Sequence, residues 1–432
     1  LESIVREHSA AIQIPIELGS EKDGTFERLT DGTAIWSRPK SAISKEEYTE
    51  FYREIARQFD EPALTVHWHA EGRYEYSVLG FVPGSRPMDL FDPARKGRAR
   101  LYVRRVLISE DADLLPAWLR FVRLVVDASD VPLNISRELV QKSPVIAAIR
   151  KAVVSRVLQE ISNLAAADPD AFNRIWTEFG AVIKEGLYED PERRDQIFKV
   201  ARFASNAGTG QQRTLKDYVE GMKENQTAIY YILGDTLEHA LASPQLEGFK
   251  ARGIEVLLLT DPVDSFWSSI AVGYEGKPFK SITQGSVDLS NIPVSEDKPK
   301  EEAADEGQLA TLLAYSKTLF GDFVSDVRSS NKLAESPACL VAPESAMDRR
   351  LEKLLAEHGR IGSLSKPVFE INPSHKLIKD LVARFQAVGD REAVDDGLWM
   401  LLDEARMIEG ERPFDPVAFR QRLFRLVGRT LN

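Results

Sequence analysis

Ile229-Tyr230-Tyr231-Ile232-Leu233, Ile254-Glu255-Val256-Leu257-Leu258-Leu259 and Phe279-Lys280-Ser281-Ile282-Thr283 are three short apolar runs in one stretch of chain. Each carries β-branched or aromatic residues, and about twenty residues of helical character separate the first two. Strand, helix and strand in that order read as a small parallel α/β layer, because a parallel return needs a crossover across one face of the sheet. The fold class that follows is α/β, in layers.

Upstream, Asp168 to Ala204 reads as wholly helical with a break at Asp190-Pro191, and Pro144 to Leu164 as a long helix opened by Ser143 and a first-turn proline. Before these, helix and strand alternate. Ser44-Lys45-Glu46-Glu47 is a capping box that opens an amphipathic helix carrying Tyr48, Phe51, Tyr52 and Ile55. His67 to Val82 alternates and predicts a hairpin turning at Glu71-Gly72. Arg100 to Ile108 predicts a strand, and Leu115 to Val126 a helix.

Downstream, Val294 to Glu306 holds six acidic residues, two lysines and almost no large apolar group, the composition of a linker. Helix, strand, helix and strand follow, then helices to the end. The expected organisation is a large α/β layer over 1–165, a helical connector over 166–214 and a small α/β layer over 215–288. An acidic linker over 289–307 and a C-terminal α/β domain over 308–432, ending in a helix pair, complete it.

The 432 residues are 43% hydrophobic and 28% charged, which suits packed domains. A net charge of -11 argues against a protein that tracks nucleic-acid phosphates. The single cysteine, Cys339, sits in an apolar run, cannot form an internal disulfide and fits a reducing cytoplasm. No stretch is long and apolar enough to suggest a membrane span. The first residue is Leu1 rather than methionine, and we expect a piece of something longer.

Among candidate sites, Leu133-Asn134-Ile135-Ser136-Arg137-Glu138-Leu139-Val140-Gln141 lies between helices. Ser136 is placed to cap a helix and hold Arg137 at its start, where a guanidinium can meet phosphate oxygens. Taken alone, an arginine there also reads as a surface ion-pair partner. His67-Trp68-His69 puts two imidazoles on one strand face without a third ligand, so no metal is expected. Asn206-Ala207-Gly208-Thr209-Gly210 lacks the lysine of a phosphate cradle and reads as a plain loop between helices.

Further blocks are Ile35-Trp36-Ser37-Arg38, Phe81-Val82-Pro83, Leu101-Tyr102-Val103-Arg104-Arg105-Val106 and Leu215-Lys216-Asp217-Tyr218. Met222-Lys223-Glu224-Asn225-Gln226, Tyr274-Glu275-Gly276-Lys277 and Glu370-Ile371-Asn372-Pro373-Ser374-His375 follow. Taken in order with Leu133 to Gln141, these blocks strongly resemble the ninety-kilodalton heat-shock chaperones. Essentially the whole chain is covered. The tail Arg429-Thr430-Leu431-Asn432 lacks the acidic ending of the eukaryotic cytosolic relatives, so a bacterial member is expected.

The resemblance implies a middle and a C-terminal domain without the N-terminal domain that holds ATP and magnesium. It makes Arg137 the residue that reaches the ATP γ-phosphate, with Gln141 and Asn134 shaping the same loop. By itself the chain is then expected to bind no cofactor and to hydrolyse nothing. The family's partners are implied too: non-native client proteins, the chain's own missing ATPase domain and a second copy of itself, with neither nucleic acid nor membrane. Trp36, Phe266 and Trp267 are the implied client contacts, with core packing as the competing reading. Leu398, Leu401, Leu402 and Ala405 form one apolar stripe, and Phe419, Leu423, Leu426 and Val427 another. Two such stripes suggest a subunit interface, with packing within the chain as the competing reading, and the resemblance implies a dimer through an intermolecular four-helix bundle. The alternatives are the transducer half of a gyrase- or mismatch-repair-type ATPase, which usually sends a lysine to the γ-phosphate, and a scaffold without nucleotide.

Overall fold

The computed structural model describes Val5 and residues 14–19, 26–30, 32–92, 98–131, 143–285, 287, 289, 291–294, 303–387 and 391–430. The chain divides into two compact units, Leu1–Ala201 and Arg202–Asn432.

In the first unit β1 (Ile16–Gly19) and β2 (Phe26–Thr30) form an antiparallel ribbon. The main sheet holds β3 (Leu64–Ala70), β4 (Tyr76–Val82), β5 (Arg98–Val103), β6 (Val106–Ser109) and β7 (Arg123–Ala128), in the order β3-β4-β7-β5-β6. Only β5 and β7 run parallel. The hairpin read from His67 to Val82 is β3 and β4, in register from Leu64↔Val82 to Ala70↔Tyr76. All seven residues of β4 are buried, so both faces of the sheet are covered.

Helix α1 (Lys45–Ala56) covers one face. Its Tyr48, Tyr52 and Ile55 pack with Leu79, Phe81, Tyr102 and Val125. The capping box forms as read: the Glu47 N–H donates to Ser44 Oγ at 3.2 Å, and the Ser44 N–H to Glu47 Oε2 at 2.8 Å. Helices α2 (Pro144–Ala167), α3 (Pro169–Glu189) and α4 (Arg194–Val200) pack on one another. Helix α3 lies against the turn Ala117–Leu119, where Phe121 stacks on Phe179 with centroids 4.4 Å apart. A Cβ added at Gly186 would sit 2.7 Å from the Trp118 ring, so that close approach requires glycine.

Three expectations fail here. The run Arg100 to Ile108 is not one strand but two, β5 and β6, broken by a turn at Arg104-Arg105. The run Leu115 to Val126 is a 3-10 turn followed by β7 rather than a helix. Phe121 to Val126 are buried without interruption, and a doubly covered strand has the same unbroken apolar composition as a buried helix. Likewise, the helical stretch ends at Val200, and Phe203 already begins a strand.

The second unit opens with a six-stranded sheet, order β12-β13-β10-β11-β8-β9. Its strands are β8 (Phe203–Ser205), β9 (Gly208–Arg213), β10 (Ile229–Leu233), β11 (Leu257–Leu259), β12 (Gly273–Tyr274) and β13 (Lys277–Ser281). The predicted parallel layer is present: β10 runs parallel to both β11 and β13. Helices α5 (Leu215–Glu220), α6 (Leu237–Ala242), α7 (Glu247–Lys250) and α8 (Asp264–Ile270) connect these strands. Asn206 to Gly210 belongs to the β8–β9 hairpin, not to a loop between helices. The Asn206 side chain pins it by accepting from the Val256 N–H at 2.8 Å and donating to Ile254 O at 3.3 Å.

A three-stranded sheet follows, order β14-β16-β15, from β14 (Asp326–Ser329), β15 (Ala338–Val341) and β16 (Val368–Ile371). Helices α9 (Glu306–Leu319), α10 (Arg349–Glu357), α11 (Lys376–Gln386), α12 (Arg391–Ile408) and α13 (Pro416–Thr430) accompany it. Leu312, Phe320, Phe369, Ile378, Leu398 and Leu402 share its core. Polar contacts join the two sheets of this unit. The Gln245 amide donates to Leu340 O at 2.6 Å, and the fully buried Lys332 Nζ to Ile282 O at 3.2 Å. The Glu247 carboxylate accepts the N–H groups of Ala334 and Glu335 at 2.8 and 2.7 Å. The fold is therefore α/β in layers, ending in helices, as the sequence predicts.

Candidate functional site

Three places bear on function. The first is the loop expected to act on phosphate. Arg137, Gln141 and Asn134 all lie outside the described residues. Its frame is described. Val131 is buried beyond the end of β7, and Ser143 accepts the Ile146 N–H at 3.2 Å to start α2. Chain that leaves a buried strand and re-enters a capped helix is anchored at both ends.

The second is a cleft of about 760 Å³ in the first unit, between the segment after Trp36, strand β3 and the β5–β6 turn. Trp36 is not on an exposed face: it is 4% exposed, part of the core with Tyr48 and Phe81. Its ring lies 4.7 Å from Tyr102, and its indole N–H donates to Asp127 Oδ2 at 3.0 Å. An indole whose N–H finds a carboxylate inside the protein has no reason to remain in solvent.

His67 is engaged at both ring nitrogens, Nδ1 with the Tyr48 hydroxyl at 2.6 Å and Nε2 with Trp36 O at 3.1 Å. Burial, with the Lys40 charge adding to it, holds this imidazole below the usual histidine range against the pull of the Trp36 carbonyl. His69 Nδ1 meets Ser77 Oγ at 2.9 Å. These imidazoles thus serve hydrogen bonds. Among the described residues no group of three or more His, Cys, Asp or Glu could hold a metal ion.

The cleft also holds two residues that the sequence reading quoted as part of a matching block but gave no role. Arg104 and Arg105 form the two-residue turn between β5 and β6, with φ of 48° and 66°. Asn-Gly is the usual pair for such a turn, since a side chain in the left-handed region costs roughly 1–2 kcal/mol per residue. The Arg105 N–H donates to Asp127 Oδ1 at 3.1 Å and its guanidinium to Ser37 Oγ at 3.1 Å, while Arg104 Nε donates to Ser129 O at 3.1 Å. The signal was in plain view, an Arg-Arg pair between Val103 and Val106.

The third place is the C-terminal helix pair. Leu398, Leu401, Leu402 and Ala405 of α12 are all buried in the chain's own core rather than left on a free face. Helix α13 differs. Phe419 and Leu426 are half-buried, whereas Leu423 and Val427 are exposed. Val417 and Phe424, absent from the predicted stripe, are exposed as well, Phe424 at 66%. Helix α13 grips α12 by polar contacts. Arg425 donates to both oxygens of the buried Asp396 at 2.8 and 2.6 Å, and Arg422 lies 4.6 Å over the Trp399 ring.

Trp267 is likewise core: 0% exposed, its indole N–H donates to Asp264 Oδ1 at 2.7 Å and its ring packs on Phe203 and Phe279. Phe266 is half-buried, and Ile270 and Val272 after it are exposed, Val272 at 87%. Cys339 is buried, and burial, with the Glu370 charge adding to it, pushes its thiol well up. Among the described residues no helix is long and apolar enough to cross a membrane.

Known proteins give this arrangement a context. The sequence matches the family described as Hsp90 protein over residues 17–432. It is 54% identical over 441 residues to the "Chaperone protein HtpG" of Azorhizobium caulinodans, covering 100% of this chain and 68% of that protein. The proteins of the same name from Rhizobium meliloti and Mesorhizobium japonicum are 52% and 53% identical, covering 100% and 99% of this chain and 68% of each relative. A family match from β1 to the last helix, with relatives this similar along the whole chain, means that this chain belongs to the HtpG/Hsp90 chaperone family.

Proposed function

We propose that this chain is the client-holding and dimer-forming part of an ATP-driven chaperone of the cytoplasm. The observation that carries this reading is the apolar surface left on the C-terminal helices of a chain more than half identical to chaperones named HtpG. Met407, Ile408, Val417, Leu423, Phe424 and Val427 are all exposed within one helix pair. Folded monomers rarely leave such a run uncovered, and a second copy of the same pair is its natural partner. The dimer contact then rests on Leu423, Val427 and the half-buried Phe419 and Leu426, while the α12 stripe supports the helix that carries them.

In this reading residues 1–288 are a middle domain and 308–432 a dimerisation domain, joined by the acidic stretch 289–307. ATP and magnesium are held by a further domain, in the part of the relatives' length that this chain does not span. Magnesium bound there would neutralise phosphate charge, and Arg137 would bring positive charge to the γ-phosphate when the domains meet, with Asn134 and Gln141 setting its loop. The frame of Val131 and Ser143 supports a loop held at both ends. Non-native clients meet exposed apolar side chains, of which Ile270 and Val272, beside the half-buried Phe266, are one group. Trp36 and Trp267 serve packing.

The test has two arms. Light scattering of the chain at tens of micromolar should give twice its 48.4 kDa, and a monomer would end the dimer part of the proposal. In the protein of the relatives' full length, Arg137→Ala should lower ATP turnover by roughly 10²-fold or more. Unchanged turnover would remove Arg137 from the mechanism.

A further inference from the structure

We propose that the cleft beside the β5–β6 turn is a docking site for extended, acidic peptide segments. This deepens the chaperone reading and rests on it. The chain as a whole carries a net charge of -11, yet the cleft gathers Lys40, Arg104 and Arg105, with Arg38 already paired to Glu47 at 2.6 Å, beside Glu75 and Asp127. Asp127 is already committed, accepting from the Trp36 indole and the Arg105 N–H. Among the described residues no carboxylate pairs with Lys40, Arg104 or Arg105; the two guanidinium groups donate instead to neutral oxygens, Ser129 O, Gly32 O and Ser37 Oγ.

The turn gives a second, independent observation. Its two residues hold left-handed φ values of 48° and 66°, where Asn-Gly would sit without strain. Shape alone does not select arginine there. Strain of this kind points to a task for the side chains, and what these two supply is charge at the mouth of a cleft.

The size and lining of the cleft decide the class of ligand. A space of about 760 Å³ is far larger than a phosphate ion, and Trp68 and the two imidazoles give it apolar faces beside its hydroxyls. An extended peptide offers carboxylates spaced along a chain, with amides and side chains between them to meet such a wall. Nucleic acid packs its charges more closely, and it would meet Glu75, Asp127 and the net negative field of the whole protein.

The experiment measures fluorescence anisotropy of a short labelled peptide in which glutamate alternates with alanine, titrated with the full chain. The same peptide with glutamine for glutamate and a single-stranded oligothymidine serve as comparisons. The acidic peptide should bind, and binding should weaken as salt is raised. The double variant Arg104→Asn, Arg105→Gly should weaken it by about fivefold or more, judged from the worth of two exposed charge contacts. Because Asn-Gly suits the turn, the melting temperature should not fall, and Lys40→Ala gives a second variant away from the hairpin. Equal binding of the glutamine peptide, or unchanged affinity in both variants, overturns the proposal. Tighter binding of oligothymidine overturns it in favour of a nucleic-acid site. A chain that suppresses aggregation of a denatured protein but ignores the acidic peptide sinks this inference alone, whereas failure in both assays sinks the chaperone reading with it.

Discussion

Helix α12 puts Val394, Leu398, Leu401, Leu402 and Ala405 into the core of the second unit, whereas α13, directly after it, leaves Val417, Leu423, Phe424 and Val427 in solvent. Both helices are amphipathic, and apolar spacing alone predicts the same fate for each. The polar residues separate them. Asp396 and Asp403 on α12 are buried and face cations from α13, Arg425 at 2.6 Å and Arg422 at 3.6 Å. A helix held to its neighbour through its arginines has to turn its apolar side elsewhere. An apolar stripe therefore states that a helix needs a partner, and the buried charges state which side of it the chain itself has claimed.

The comparison breaks most visibly in the core. Leu402 is fully buried among Phe369, Ile378 and Leu398, so Leu402→Ala should destabilise the second unit by about 2–5 kcal/mol. Chemical unfolding should show it directly. A loss well under 1 kcal/mol would mean that α12 packs loosely, and the contrast with α13 would fall.

The same logic explains what could be read from the sequence. The parallel layer was legible at Ile229 to Leu233 because that run is short, rich in β-branched and aromatic residues and bounded by polar chain. The start of α1 was legible because a capping box is a local hydrogen-bond pattern, complete in four residues. Leu115 to Val126 was not, since burial on both faces erases the period that tells strand from helix. Trp36 and Trp267 could not be assigned to core or surface, because that depended on Asp127, 91 positions away, and on Phe203 and Phe279 across a sheet. The apolar stripe of α13 was half legible: Leu423 and Val427 are exposed, but Phe419 and Leu426 are half-buried, and the need of Asp396 for Arg425 is a tertiary fact.

A smaller effect sharpens the contrast between two carboxylates of the second unit. Burial raises Asp403, against the Phe414 N–H and the Arg422 charge, so ionising it opposes folding. Burial also acts to raise Glu247, but the Ser336 hydroxyl and the N–H groups of Ser336, Glu335 and Ala334 win and hold it below the ordinary value. A depressed carboxylate adds stability that is present above its unfolded pKa and lost as pH falls through the folded one. The clasp made by Glu247 should therefore fail as pH drops below the usual glutamate value of about 4.3. In Glu247→Gln, stability should be lower than wild type at pH 7 and the two should converge in acid. Curves that stay parallel down to pH 3 would show that the clasp is not what titrates.

The smallest effect on the fold is expected at Phe424, and it bears most on function. Its side chain is 66% exposed, so Phe424→Ser removes little that the chain itself has buried. Stability measured where the chain is dissociated should change by about 0.5 kcal/mol or less, the range of exposed sites. Self-association is another matter. If α13 pairs with its counterpart in a second copy, that ring lies in an apolar seam, and replacing it with a hydroxyl both removes contact area and leaves a polar group to be satisfied. Val427→Ser on the same exposed side should act in the same direction, and the two together more than either. Analytical ultracentrifugation over a range of concentrations reads the shift toward monomer directly. If the double variant associates as tightly as the wild type while its fold is intact, the apolar side of α13 is not the dimer contact. The surface would then be left for clients, and the buried Asp396–Arg425 grip would serve only to present it.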